Sequence, residues 1–160
     1  MREIEKETAC CFTGHRPEKL KRSEEEVISL LKQAIDEAIS GGYRIFISGM
    51  SRGVDIWAAE EIIRRKENGE NLRLICAPAF KGAENSWGKE WKNRYLQVIG
   101  EADDFYCQAE KYTGLHIYQK RDEWMVDNSS LVLAVYDGER GGTRNTIEYA
   151  LKNGVKVELL

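Results

Sequence analysis

Two adjacent glycines, Gly141 and Gly142, separate an apolar strand pattern from the start of a helical one. The run Leu131 to Tyr136 is typical of a buried strand, and an apolar helical stripe begins at Ile147. Glycines at such a junction allow backbone amides at the helix start to approach an anion, and Thr143 is predicted to cap the helix. The pattern predicts a phosphate-binding loop, and a nucleotide-like ligand is the first hypothesis.

A second turn that follows a predicted strand combines glycine with polar and cationic side chains. It contains Thr13, Gly14, His15 and Arg16. An arginine at this place suits a bidentate contact with phosphate, and the imidazole suits a phosphate or ribose. The alternative is a plain surface turn, because Pro17 restricts the backbone that precedes it.

A third turn contains Ser48, Gly49, Arg52 and Gly53, and it leads into a predicted helix with Asp55 in the first turn. One interpretation has Asp55 accepting hydrogen bonds from ribose hydroxyls, or a proton, beside a phosphate on the loop amides. The alternative is structural, because the helix dipole stabilises an acid in the first turn and the glycines turn the chain. The turn matches neither the P-loop nor the GxGxxG dinucleotide pattern.

The elements that position these turns alternate between strand and helix, which predicts a three-layer α/β fold with a mostly parallel central sheet. Residues 1–160 are expected to form a single domain. Ligands bind at the carboxyl ends of strands in such sheets, so the three turns are predicted to converge on one edge. The predicted strands are 8–13, 43–48, 72–77, 104–108, 131–136 and 155–160, and the helices run from the Ser23 cap to Gly41 and over 54–66, 86–99, 116–128 and 144–152.

The composition excludes several classes of function. The net charge is −3 and the cations are scattered among acids, which predicts no broad basic face and argues against a nucleic-acid partner. No apolar run is long enough to span a membrane and the N-terminal residues are too charged for a signal peptide, so a cytoplasmic location is expected. The four cysteines and two histidines lack metal-ligand spacing, which predicts mostly buried, reduced thiols, no metal and no cofactor.

Two aromatic patterns are open to more than one interpretation. Trp87, Trp91 and Tyr95 recur every four residues, which favours packing in the core or in a homodimer over a base-stacking platform. The segment from Tyr112 to Tyr118 is a better candidate for base stacking, because it follows the carboxyl end of the fourth predicted strand.

Four segments, taken in order, resemble the SLOG superfamily of Rossmann-like proteins, and most closely its branch of uncharacterised YpsA-like proteins. They are the stretches Thr13 to Pro17, Ser48 to Asp55, Arg121 to Asp127 and Asp137 to Thr143. The resemblance runs over nearly the whole chain and implies a Rossmann-like fold.

Within that superfamily, LONELY GUY enzymes cleave the N-glycosidic bond of nucleoside monophosphates. Their motif has an arginine before the last core strand and a glutamate six residues after a glycine pair, and Arg121 and Glu148 match these positions. The resemblance implies that Glu148 stabilises the oxocarbenium charge and that Arg121 holds the 5′-phosphate. Arg144 and Glu148 are also spaced for a surface ion pair. Asp122, the longer loop before the glycines and Arg144-Asn145 depart from the enzymes' pattern, which favours binding without cleavage.

The DNA-processing protein A family, a second relative, has a similar Ser-Gly-x-x-x-Gly-x-Asp turn and binds single-stranded DNA on a surface that should be basic, whereas this chain is acidic. The leading hypothesis is therefore a sensor or regulator that binds a nucleotide or an ADP-ribose-like ligand. The alternatives are a nucleotide N-glycosidase or phosphoribohydrolase and, third, a single-stranded DNA-binding protein. The candidate ligand-binding residues are Thr13, Gly14, His15, Arg16, Ser48, Gly49, Arg52, Gly53, Asp55, Gly141, Gly142 and Thr143.

Overall fold

The computed structural model describes residues 1–160 as six strands and five α-helices, joined by loops and short 3-10 turns. The strands are β1 (Ala9–Gly14), β2 (Ile45–Ser48), β3 (Arg73–Cys76), β4 (Asp104–Phe105), β5 (Leu131–Val135) and β6 (Lys156–Leu159). The helices are α1 (Glu24–Ser40), α2 (Val54–Glu67), α3 (Lys89–Glu101), α4 (His116–Asp127) and α5 (Gly142–Lys152).

All six strands form one parallel sheet in the order β4-β3-β2-β1-β5-β6. The chain first builds outward from β1 through β2 and β3 to β4, and then returns to place β5 on the other side of β1. The strand order therefore reverses between β1 and β5, which is where open α/β sheets hold ligands. The prediction of a three-layer α/β fold with a mostly parallel sheet is confirmed.

The sheet is covered on both faces because alternate residues of its strands point to opposite sides. Cys10 and Phe12 pack in the larger core with α1, α2 and α3, whereas Cys11 packs in the smaller core with residues of α4 and α5. Phe46 and Ile47 on β2 divide in the same way. This two-sided burial fixes the strands, so their carboxyl ends present the loops at one rigid edge.

The predicted helix starts are partly confirmed. The Ser23 hydroxyl accepts a hydrogen bond from the Glu26 amide at 3.1 Å, as the capping pattern predicts. The prediction that Thr143 caps α5 is wrong, because Gly141 is the cap and Thr143 is buried within the first turn. The φ angle of Gly141 is 144°, which glycine adopts readily and threonine does not. This position, the last before the helix, therefore suits a glycine.

The aromatic stripe of α3 packs within the chain. The ring of Trp91 lies 5.9 Å from that of Trp57, and the ring of Trp87 lies 5.5 Å from that of Tyr95. All three stripe residues contact the larger core, in agreement with the packing interpretation, and a homodimer stays a prediction.

Three of the four cysteines are buried, and the fourth, Cys107, is partly exposed. None of the helices is both long and apolar enough to span a bilayer.

Candidate functional site

A cavity of about 810 Å³ opens at the carboxyl edge of the sheet, around the point where the strand order reverses. Five loops contribute to its wall: the β1 loop (15–23), the β2 loop (49–53), the β3 loop (77–88), the β4 loop (106–115) and the β5 loop (136–141). The end of β1 and the starts of α2, α4 and α5 complete it. The predicted convergence of three turns on one sheet edge is therefore observed.

Most of the residues singled out in the sequence line this one cavity, although their contact with a ligand stays a prediction. Those brought together are Thr13, Gly14, His15, Arg16, Gly49, Arg52, Asp55, Arg121, Gly141, Gly142 and Thr143. Three others, Ser48, Gly53 and Glu148, do not line it.

Ser48 and Gly53 shape the β2 loop from behind the cavity wall. The Ser48 hydroxyl donates to the Asp55 carbonyl at 2.8 Å and accepts from the Met50 amide at 3.2 Å. Gly53 is the N-terminal cap of α2 and lies against the ring of Pro17. These two residues therefore support the loop rather than line the cavity, and their contact with a ligand stays a prediction.

Glu148 lies on the outer face of α5. Thr146 and Ala150 are buried, and a helical residue two positions away points about 200° around the axis. The Glu148 carboxylate accepts a hydrogen bond from Arg144 at 2.9 Å and lines a separate, open pocket of about 480 Å³ between α4 and α5. The structure therefore does not bring Glu148 and Arg121 into one cavity. Glu148 instead forms the surface ion pair with Arg144 that their spacing in the sequence indicates.

Arg121 is the centre of a buried charge network at the cavity floor. Its Nε donates to Asp122 at 2.7 Å, and its Nη1 donates to the Gly49 carbonyl and, at 3.3 Å, to the Ala77 carbonyl. Its Nη2 donates to the Ser51 hydroxyl at 3.5 Å. Four of the five N–H donors of this guanidinium are thus engaged within the chain. Arg121 joins the β2 and β3 loops to α4, and only one of its N–H donors remains free to bind a phosphate.

Asp55 is buried beside Arg121 and accepts a hydrogen bond from the Ser51 amide at 3.1 Å. Burial raises the pKa of this carboxyl to about 6, and the Arg121 charge and the Ser51 amide oppose that rise only in part. Asp55 therefore exchanges its proton near neutral pH in a cavity wall, which suits a group that contacts a ribose or moves a proton.

The raised pKa makes the Asp55→Asn variant a test of this burial. The folded chain holds the Asp55 proton more tightly than the unfolded chain, whose value is 3.8, so Asp55 weakens the fold progressively as pH rises from about 4 to about 6. Asparagine does not ionise. The free energy of unfolding of the variant relative to the wild type is expected to rise over that range by up to about 3 kcal/mol, measured by urea unfolding.

Asp137→Asn is the control with the opposite sign. Although burial favours the neutral form of Asp137, the Lys21 amide and the Arg22 guanidinium hold its pKa below the usual value. Asp137 therefore stabilises the fold at neutral pH, and its loss is expected to destabilise the chain there, with a smaller deficit in acid. A difference between Asp55→Asn and the wild type that is flat or falls with pH would contradict the assignment.

His15 is a buried polar residue of the cavity with an unmet hydrogen-bonding group. Its side chain lies 5.5 Å from the ring of Tyr136, and its Nε2 is buried without a hydrogen-bond partner. Burial lowers the pKa of His15, against the opposing charges of Asp137 and Glu139, which favours the neutral ring.

The lining also has a charge opposite to that of the whole chain. Five cationic residues line the cavity, namely Arg16, Lys19, Arg52, Arg121 and Arg140, against two carboxylates, Asp55 and Asp122. Sequence reasoning did not select Lys19, Asp122, Arg140 or the aromatic Phe80 as site residues. Phe80 could have been predicted from the sequence. It follows the carboxyl end of β3, and the other candidate turns were selected because they follow the carboxyl ends of strands.

The parallel sheet and the cavity at its reversal point define a Rossmann-like α/β protein with an opening where such folds hold ligands. Residues 10–158 match the YspA SLOG family, and the chain belongs to that family. A relative, the uncharacterized SPbeta prophage-derived protein YoqJ of Bacillus subtilis (strain 168), is 34% identical over 136 residues, covering 76% of this chain and 78% of the relative. The resemblance identified from the sequence motifs is confirmed.

Two solved structures have a similar fold. DNA processing protein A from Streptococcus pneumoniae superposes with a TM-score of 0.62 at 14% identity, and this chain covers 49% of its length with 92% of its own. DNA processing protein A from Helicobacter pylori superposes with a TM-score of 0.63 at 17% identity, covering 64% of that protein and 94% of this chain. At these identities the similarity concerns the fold, and this chain spans less than two thirds of either protein.

The prediction that argued against a nucleic-acid partner is wrong. DNA processing protein A from Helicobacter pylori, which has this fold, binds single-stranded DNA, so the fold is compatible with such a partner. The net charge of −3 misled because it sums over the whole chain, whereas the lining of the cavity has more cations than carboxylates.

Proposed function

We propose that this chain binds a nucleoside phosphate, or a nucleotide derivative of the ADP-ribose kind, in the cavity at the carboxyl edge of its sheet, and acts as a sensor or regulator. The observation that carries the proposal is the cationic lining of this cavity in a chain whose net charge is −3. A cleft with an excess of one sign of charge attracts an oppositely charged ligand.

The cations differ in their availability to an anion. Arg52 and Arg121 are paired within the chain, with Glu18 and Asp122. Arg16, Lys19 and Arg140 are exposed at the rim and are the cations left for a ligand. No side chain caps the start of α5, so the first amides of that helix also point to an anion at the Gly141-Gly142 turn. Phosphate is therefore proposed to bind between the β1 loop and the start of α5.

The uncharged parts of the ligand have matching groups deeper in the cavity. Asp55 accepts a hydrogen bond from the Ser51 amide and has oxygen lone pairs left for ribose hydroxyls. His15, whose ring lies 5.5 Å from that of Tyr136, also lines this part of the cavity. These groups favour a phosphate that carries a sugar over inorganic phosphate.

Calorimetric titration with nucleoside monophosphates, diphosphates and ADP-ribose tests the proposal. At least one member is expected to bind more tightly than millimolar. Arg16→Ala and Arg140→Ala are each expected to weaken that binding by about ten-fold, because each removes one charge-assisted contact. Arg64→Ala is the matched control, since Arg64 is exposed on α2 outside the cavity and should leave affinity unchanged. Binding weaker than millimolar across the whole panel would refute the proposal.

Single-stranded DNA is the second candidate ligand, favoured by the Helicobacter pylori structure. One feature of this chain agrees with a longer ligand: Leu115, Gln119 and Asn145 line both the cavity and the open pocket between α4 and α5, so the two pockets adjoin each other. Titration with oligothymidylate at several salt concentrations separates the candidates. DNA binding predicts an affinity that falls steeply with salt, whereas no gel shift at low salt removes this candidate.

A phosphoribohydrolase activity has less geometric support. The cavity contains two carboxylates, Asp55 and Asp122, and both lie against Arg121, while Glu148 lies outside. Release of free base from nucleoside monophosphates is the direct assay. If release is found, Glu148→Gln is expected to leave it unchanged.

Three further expectations stay predictions: a single domain over residues 1–160, a cytoplasmic location and a homodimer. Light scattering tests the homodimer.

A further inference from the structure

Three aromatic rings form a cluster on the cavity wall that belongs to neither core. The rings of Phe80 and Tyr112 lie 5.6 Å apart at 81°, those of Phe80 and Tyr118 lie 6.1 Å apart at 81°, and those of Tyr112 and Tyr118 lie 6.4 Å apart at 63°. Because the three ring planes are steeply inclined to one another, they form a corner, which we call the aromatic corner. All three residues line the cavity, and none packs with either buried core.

The aromatic corner is held by backbone contacts between separate segments. Phe80 of the β3 loop pairs with Ala109 of the β4 loop in a parallel bridge, and the adjacent Lys81 amide donates to the Ala109 carbonyl at 3.1 Å. Tyr118 is in the first turn of α4, where its amide donates to the Leu115 carbonyl at 3.1 Å. Two rings are therefore fixed by the scaffold, and the third, Tyr112, is 49% exposed at the rim.

The corner adjoins the polar part of the same cavity. The guanidinium carbon of Arg121 lies 5.9 Å from the centre of the Tyr118 ring, and Arg121 also holds the Gly49 carbonyl of the β2 loop. A ligand that fills the cavity thus meets cations and backbone amides at one side and aromatic faces at the other. Nucleotides have this division, with a charged phosphate and a flat base joined by a sugar.

We infer that the aromatic corner of Phe80, Tyr112 and Tyr118 receives the nucleobase of the bound ligand, so that the protein selects nucleoside phosphates over sugar phosphates. The inference rests on the proposed function and names the part of the ligand that this side of the cavity recognises. Every base has a flat π face, so stacking here discriminates between ligands with and without a base more than between bases.

A comparison of a 5′-nucleotide with ribose 5-phosphate tests the inference, because the two share a phosphate and sugar and differ by the base. The wild type is expected to bind the nucleotide at least about ten-fold more tightly, in line with the range for base stacking on an aromatic side chain. Tyr112→Ala is expected to reduce nucleotide affinity by about ten-fold and to leave ribose 5-phosphate affinity unchanged. Tyr112→Phe keeps the ring and should retain the preference.

Phe105→Ala is the matched control, since Phe105 is 46% exposed, close to the 49% of Tyr112, and lies on β4 outside the cavity. It should change neither affinity. For a single-stranded DNA ligand, the same comparison is made between an oligothymidylate and an abasic oligomer of equal length, and Tyr112→Ala should remove their difference.

The outcomes separate the inference from the proposed function. Equal wild-type affinity for nucleotide and ribose 5-phosphate overturns the inference and leaves the proposed function standing. An equal loss of both affinities in Tyr112→Ala also overturns it, because the ring then supports the cavity as a whole. Absence of binding by every nucleotide, sugar phosphate and oligonucleotide overturns the proposed function, and the inference with it.

Discussion

Replacing Arg121 with methionine is expected to lower the free energy of unfolding by about 3 to 5 kcal/mol at neutral pH. Methionine matches much of the volume and removes the charge. Asp55 and Asp122 are both buried beside this guanidinium, and Asp122 accepts from its Nε at 2.7 Å. Without the cation they are two buried negative charges without a counter-ion, and the carbonyls of Gly49 and Ala77 lose their donor.

The loss in Arg121→Met should depend strongly on pH. Burial already raises the pKa of Asp55 to about 6, and Arg121 is the main charge that opposes the rise. Removing Arg121 therefore raises it further, so acid neutralises the carboxyl and relieves the variant. Urea unfolding at pH 7.5 and pH 5 is expected to show a clearly smaller deficit at the lower pH. If the variant is unfolded at pH 7.5, recovery of structure at pH 5 makes the same point.

Arg144→Met is the control for the loss of an arginine. Arg144 pairs with Glu148 at 2.9 Å, but the two side chains are 46% and 61% exposed, so the change should cost less than about 1 kcal/mol. A comparable loss in both arginine variants, or a deficit in Arg121→Met that is the same at both pH values, would show that the buried network is not the cause.

Replacing Gly14 with alanine is expected to destabilise the chain by about 3 kcal/mol, the upper part of the range for overpacking. A Cβ atom at Gly14 would lie 2.3 Å from Cγ2 and 2.6 Å from Cβ of Val54. Val54 is buried, β-branched and the first residue of α2, so it has no free rotamer to move into. The added methyl group must push the start of α2, and the β2 loop before it, away from β1.

A double-mutant cycle isolates this contact. Val54→Ala removes the atoms that the new methyl group meets, so the Gly14→Ala/Val54→Ala protein should be more stable than the sum of the single losses predicts, by at least about 1 kcal/mol. Gly100→Ala is the matched control, because Gly100 is exposed in α3 with open space around it and should gain about 0.5 to 1 kcal/mol. Additive losses in the cycle would mean that the Val54 contact is not what makes alanine costly at position 14.

The limits of the sequence are clearest in three residues. The spacing of Glu148 from the glycine pair is that of an enzyme motif, yet the residue lies on the outer face of α5 because buried Thr143, Thr146 and Ala150 fix the rotation of the helix. Phe80 follows the carboxyl end of β3, which indicates the right edge of the sheet, but only the structure shows the bridge to Ala109 that holds this segment against the β4 loop. Arg121 was expected to hold a phosphate, and its donors are instead used by Asp122 and loop carbonyls.

The sequence by itself determined the alternation of strands and helices, the parallel sheet and the edge at which the glycine-containing turns meet. These depend on hydrophobic periodicity and on turn residues, which are local properties of the chain. Only the tertiary structure decided which charges face the cavity and which are paired, because Arg16, Arg121 and Arg140 come together across more than a hundred residues. An acidic chain can therefore carry a cationic cavity, since net charge is a sum over residues and a binding site depends on where the fold places them.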